Sequence, residues 1–238
     1  MFMWLTAISF PVHEAGMPAL AVLLLAVVVY KLFACRQGEG VHYGLYSVFT
    51  VIGCTTLIFP HFLLLLPVFI VYGLVAMMSG LRGFLAMLLG LCVPYLLVAG
   101  FDYIFPGILP EKLLVWPLDP LMHLSLEMPD VLQAVLLLLQ LVVLIAFTVI
   151  FVKSTVPGKP YLRRRLVFLI YLNILLFLMS ILYNEGFVLF YMMSLPSVAV
   201  MMAYIFSLKV SKPMNWFFIA MNLLWFALFP FSLCLKHL

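Results

Sequence analysis

The chain has 238 residues, of which 68% are hydrophobic and 8% charged, and its formal net charge is +4. Ordinary soluble domains carry roughly 25% charged residues, so a soluble fold of this size could not hide so much apolar surface. The composition indicates an integral membrane protein and excludes a nucleic-acid-binding domain, a disordered chain and a secreted disulfide scaffold. The four cysteines form no CxxC pair, which argues against disulfides and thiolate metal sites. Cys54 and Cys92 lie in apolar runs and are expected to be small buried side chains.

Continuous apolar runs predict an all-α bundle of eight membrane-spanning helices. A spanning helix needs about 20 mostly apolar residues, and the runs are continuous rather than alternating as in barrel strands. Prolines inside four of the runs are expected to kink their helices. The predicted spans are residues 17–35, 42–59, 61–79, 83–105, 131–152, 166–184, 187–207 and 215–235.

Two segments outside the spans are also apolar. Met1–Phe10 is too short to span and lacks the basic start and cleavage pattern of a signal peptide. It is interpreted as an interfacial segment or as the remnant of a helix that begins upstream. The proline-rich connection 106–130 contains Trp116 and several leucines, which predicts short helices lying on the membrane surface. No repeat or low-complexity linker divides the chain, so a single domain covering residues 1–238 is expected.

Charge alternates between successive loops and predicts their orientation. Ten of the twelve Lys and Arg residues fall in alternate loops, and the connections between those loops are neutral or acidic. The positive-inside rule places the basic loops in the cytoplasm. The 106–130 loop and both termini then lie outside, in the inner (plasma) membrane of a cell envelope. The basic loops carry Lys31, Arg36, Arg82, Lys153, Lys159, Arg163, Arg164, Arg165, Lys209 and Lys212.

The triple arginine Arg163, Arg164 and Arg165 directly precedes the sixth predicted span. One interpretation is a topology anchor, which the positive-inside rule predicts in any case. The other is a pocket for a lipid phosphate, such as that of a polyprenyl carrier.

Three amide side chains fall deep within the spans. Gln140 and Asn173 lie about 13 and 16 Å from the outer helix ends at 1.5 Å per residue, and Asn222 reaches a similar depth. They either bond between helices as structural contacts or line a path for a neutral or lipidic substrate. No charged residue lies in the centre of a span, which argues against an ion-coupled transporter.

The predicted outer face gathers most other titratable groups. Among them Glu14, Asp102 and His123 are candidates for general acid or base catalysis. The alternative is a solvated acidic rim, which the charge bias already predicts. No pair has metal-ligand spacing, and the chain has no Walker A, GxGxxG or GxSxG motif. No metal and no cofactor are therefore predicted.

The run YSVFTVIGCTTLIFPHFLLLLPVFIVYGL and the following LRGFLAMLLGLCVPYLLVAGFDYIFPG carry a resemblance. They are similar to an uncharacterised family of multi-pass inner-membrane proteins of Bacteroidota. The resemblance includes a short turn with Phe59-Pro60, a basic turn with Arg82 and a helix with Gly90 and Pro94-Tyr95. It implies a further helix upstream and, since the family has no established activity, no catalytic residues.

A fainter likeness is to polytopic glycosyltransferases that use polyprenyl-linked sugars. Those enzymes have many spans, interfacial helices in outer loops and an acidic motif in the first outer loop, where this chain has His13-Glu14.

Three functions remain open from the sequence. The preferred one is a non-enzymatic accessory or scaffold subunit of the cell envelope, in contact with membrane lipids and a protein partner. The alternatives are an enzyme acting on a lipid-linked substrate at the outer face and a transporter of a neutral or lipidic substrate. No nucleic-acid partner is expected.

Overall fold

A computed structural model describes residues 16–35, 40–76, 80–105, 131–153, 160–183, 186–207 and 219. The backbone in these ranges is helical apart from turns, which confirms the predicted all-α class. The helices begin and end as follows: α1 Gly16–Ala34, α2 Val41–Ile58, a 3₁₀ helix Pro60–Leu65, α3 Leu66–Val71, a π-helix Tyr72–Ala76, α4 Gly80–Ile104, α5 Val131–Lys153, α6 Pro160–Leu182 and α7 Phe187–Ser207.

Within the described ranges, four helical stretches are long and apolar enough to cross a membrane: Val41–Ile58, Gly80–Ile104, Leu162–Leu182 and Phe187–Tyr204. They fall on four of the predicted spans, and the chain is accordingly treated as a membrane protein. Shorter apolar helices fall on three more of the predicted spans. The 106–130 loop, the segment Met1–Phe10 and nearly all of the predicted span 215–235 lie outside the described residues.

The chain divides into two compact units, and the boundary falls within α1. The N-terminal unit is Leu23–Ser125. The C-terminal unit is Leu126–Leu238 together with Met1–Val22. Each unit is described by itself below.

The main contact of the N-terminal unit is between α2 and α4, and it is built on two glycines. A Cβ at Gly90 of α4 would lie 2.5 Å from the carbonyl oxygen of Tyr46, and a Cβ at Gly53 of α2 would lie 2.8 Å from that of Leu91. Because both positions lack a side chain, the two backbones approach more closely than other residues allow. We call Gly53 and Gly90 the glycine pair.

The contacts of the glycine pair also fix the relative direction of the two helices. Gly90 lies against Tyr46 early in α2, and Pro94 lies against Gly53 later in α2. Contacts that advance together along both helices mean that α2 and α4 run parallel. The chain between them must therefore return along the length of the pair.

The returning segment is helical without a break from Pro60 to Ala76, where the sequence predicts a span over 61–79 kinked at its proline, but its winding is not that of a regular α-helix throughout. It runs as the 3₁₀ helix Pro60–Leu65, then α3, then a π-helix at Tyr72–Ala76. Pro67 is at the second position of α3, where its missing N–H is tolerated. The six-residue 3₁₀ helix spans roughly 12 Å and α3 about 9 Å. These twelve residues therefore cover about 21 Å of the about 27 Å length of α2, where a regular α-helix of the same length would cover about 18 Å.

The C-terminal unit is formed by α5, α6 and α7. Helix α7 is the most deeply packed, and every residue from Phe190 to Leu195 is buried. The ring of Tyr183, just past α6, is tilted against that of Phe190 near the start of α7, with the ring centroids 5.8 Å apart. This contact at the connection shows that α6 and α7 form an antiparallel hairpin.

One burial expectation is wrong. Cys54 is exposed and Cys92 is only partly buried. Both thiols lie on α2 and α4, whose buried stripes are taken by the glycine pair and its neighbours. An apolar run identifies a helix in a membrane, but it does not identify which side of that helix faces protein.

Candidate functional site

The buried polar side chains of the C-terminal unit centre on Gln140 of α5 and Asn173 of α6. Gln140 is 4% exposed and Asn173 is 1% exposed. The Gln140 Nε2 donates a hydrogen bond of 3.3 Å to the Asn173 Oδ1. Both residues lie near the middle of their helices. Their hydrogen bond brings together two of the three amides singled out from the sequence. We call Gln140 and Asn173 the amide pair.

A third helix joins the amide pair through a sulfur atom. The Asn173 Nδ2 lies 3.6 Å from the Sδ of Met201 on α7 and donates to it. Phe147 of α5 meets Tyr204 of α7 with ring centroids 6.3 Å apart. The amide pair therefore lies at the level where all three helices of the unit meet.

The amide pair is not fully satisfied. Gln140 Oε1 is buried, and no residue in the described part of the chain donates a hydrogen bond to it. An unsatisfied buried acceptor costs about 1–3 kcal/mol relative to one that is hydrogen-bonded. The cluster thus has acceptor capacity beyond what holds the helices together.

Three serines continue the polar surface along the α6–α7 contact, and the sequence analysis missed them. Ser180 lies two turns after Asn173 on the same face of α6, and Ser194 and Ser197 share a face of α7 with Met201. In the antiparallel hairpin Asn173 is opposite Met201 and Tyr183 is opposite Phe190, so Ser180 comes opposite Ser194. All three serines are buried. We call Asn173, Ser180, Ser194 and Ser197 the polar seam.

The N-terminal unit has a smaller polar contact beside the glycine pair. The Tyr95 hydroxyl on α4 donates to the Thr56 Oγ1 on α2 at 2.8 Å, and that Oγ1 donates to the Gly53 carbonyl at 2.8 Å. Both hydroxyl protons of these two consecutive hydrogen bonds are donated within the helix pair. The contact joins α2 and α4 and leaves no donor for a ligand.

The structure distributes the remaining candidate residues as follows. Asp102 is partly buried in the last turn of α4, beside the exposed Tyr103. Arg163 is exposed, and Arg164 and Arg165 are partly buried, in the first turns of α6. The described residues contain no group of three His, Cys, Asp or Glu side chains placed to hold a metal ion. Glu14, His123 and Asn222 lie outside the described residues.

Comparison with known proteins adds no assignment. The chain matches no protein-family model, and it has no significant match among curated proteins or solved structures.

Proposed function

We propose that the chain is a multi-pass, non-enzymatic subunit of a membrane assembly in the cell envelope. The observation that carries this proposal is the pairing of polar groups between helices, Gln140 with Asn173 and Tyr95 with Thr56. Such bonds hold transmembrane helices in register. The same amides are the basis of the transporter alternative, and their bond to each other favours the structural role.

The surface we assign to a protein partner is the exposed side of α4, which faces away from α2. Only one stripe of this helix is buried, formed by Gly83, Met87, Gly90 and Pro94. The register of the glycine pair leaves the residues after about 97 extending beyond α2 by roughly 10 Å. That extension carries exposed aromatic side chains, with Tyr103 89% exposed. Exposed aromatic residues are enriched where proteins contact one another.

The test is cross-linking in the native membrane. A photoreactive amino acid replaces Leu97, which is exposed on α4, or Leu138, which is exposed on α5 as a control. We expect a protein adduct of defined mass from position 97 and none from position 138. A protein that is extracted gently, travels alone in native mass spectrometry and gives no adduct at position 97 would refute the subunit proposal.

A second candidate function is binding of a lipid phosphate at Arg163, Arg164 and Arg165. These arginines lie in the first turns of α6, where the helix dipole disfavours positive charge by about 0.3–1 kcal/mol per group. A phosphate at this end would be attracted by both the dipole and the arginines. The proposal agrees with an enzyme that acts on a lipid-linked substrate.

Lipid retention tests this second candidate. We expect native mass spectrometry to find an anionic lipid on the released protein, and changing the three arginines to Gln should remove it. Arg82→Gln removes a charge from the first turn of α4, at the end of that helix predicted to be cytoplasmic, and is the control. Equal lipid retention in all three proteins would identify the triple arginine as a topology anchor.

A further inference from the structure

The polar seam is rich in acceptors because its hydroxyl protons are already used. Ser180 donates to the Leu176 carbonyl at 2.9 Å, Ser194 to that of Tyr191 at 2.6 Å, and Ser197 to that of Ser194 at 2.7 Å. A hydroxyl that has donated its proton retains an oxygen that accepts. The seam therefore presents serine oxygens along the α6–α7 contact.

Gln140 Oε1 is a further acceptor beside the seam, since Gln140 is hydrogen-bonded to Asn173. Gln140 is nine-tenths buried or more, and its amide nitrogen is bound to Asn173, which is itself part of the seam. Its oxygen has no donor among the described residues. The three buried serines by themselves would be explained by close packing of α6 against α7, which small residues permit. A buried amide oxygen without a donor is not explained by packing, since leucine would fill the position without that penalty.

We propose that the polar seam and Gln140 Oε1 form a binding site for uncharged hydroxyl groups that donate hydrogen bonds. The site lies inside the C-terminal unit, among α5, α6 and α7, and goes beyond the proposed subunit function. Its hydroxyl comes either from water or from a bound neutral molecule such as an alcohol. A cation is not the preferred occupant, because the site contains no carboxylate among its described residues to offset the loss of hydration.

Two methionines provide a matched probe of this site. Met201 contacts the seam at Asn173, whereas Met87 lies in the α2–α4 contact. Both methionines are 1% exposed or less. X-ray radiolysis makes hydroxyl radicals from water in place, and a methionine beside bound water is oxidised. We expect oxidation of Met201, measured by peptide mass spectrometry, to be several-fold faster than that of Met87. In Gln140→Leu the ratio should fall toward one.

A second measurement identifies the source of the hydroxyl. If oxidation of Met201 is not enhanced, a neutral hydroxylated molecule should be retained in native mass spectrometry of the natural protein and lost from Gln140→Leu. Gln140→Met, which keeps the side-chain length, serves where the leucine variant does not fold. Equal oxidation of the two methionines together with no retained molecule would overturn the proposal and define the seam as dry packing.

Discussion

The N-terminal unit brings α2 and α4 together at glycines, whereas the C-terminal unit joins α5, α6 and α7 through the side-chain amides of Gln140 and Asn173 and the sulfur of Met201. At the glycine pair the backbones themselves are in contact, so the attraction is van der Waals packing with no polar group to spare. At the amide pair the contact is a hydrogen bond between side chains, and the Gln140 Oε1 accepts no hydrogen bond from the described residues. The N-terminal contact is therefore made by backbone packing, whereas the C-terminal contact retains an acceptor that the proposed hydroxyl site would use.

The largest expected effect tests the parallel arrangement of α2 and α4. Cysteines placed at Glu39, before α2, and at Ser79, before α4, should react with a membrane-impermeant reagent from the same side. A cysteine at Tyr103, near the end of α4, should react only from the opposite side. The native cysteines are first replaced by alanine. Labelling of positions 39 and 79 from opposite sides would contradict the parallel pair.

The next effect is a steric disruption of the glycine pair. Gly90→Leu places a side chain where even a Cβ meets the Tyr46 carbonyl oxygen, so α4 must move away from α2. Overpacking of this kind costs about 1–3 kcal/mol or more. We expect a large fall in the thermal unfolding midpoint of the detergent-solubilised protein.

Gly100→Ala is the matched control for Gly90→Leu on the same helix. A Cβ at Gly100 meets no atom within 4 Å. The alanine should leave stability unchanged or raise it by up to about 1 kcal/mol through helix propensity. If both glycine variants behaved alike, close approach at Gly90 would not be what holds α2 to α4.

A double-mutant cycle measures the amide pair. Gln140→Leu and Asn173→Leu should each destabilise the protein, and the double variant should lose less than the sum. In membranes such coupling amounts to about 0.6–2 kcal/mol. Thr148→Val on α5 removes a hydroxyl that bonds only within its own helix, to the Leu144 carbonyl. Additive losses from Gln140 and Asn173, no greater than that of the threonine control, would show that their bond contributes nothing.

Local sequence properties predict much of the fold but little of the helix packing. The predicted spans 42–59 and 187–207 lie within a residue of α2 and α7 at each end, because run length and hydropathy are local. Helix α6 begins at Pro160 rather than 166, since a helix continues past the apolar run that Arg163–Arg165 interrupts.

The amides were found from the sequence because a polar residue in an apolar run is conspicuous. The serines were not, because their significance depends on the α6–α7 register. The spacing of Ser194, Ser197 and Met201 on one helical face was the available signal. The glycine pair likewise required knowledge of which helix faces meet, and no local pattern supplies that.

The smallest expected effect comes from the one cross-helix side-chain bond that accompanies the glycine pair. Tyr95→Phe removes the hydroxyl that donates to Thr56 and should lower the free energy of unfolding by about 0.5–1.5 kcal/mol. Tyr103→Phe is the control, since Tyr103 is exposed. A modest loss at Tyr95, well below that of Gly90→Leu, would show that backbone contact dominates the α2–α4 pair. A loss as large as that of Gly90→Leu would instead mean that hydrogen bonds govern both units, and the contrast between them would fail.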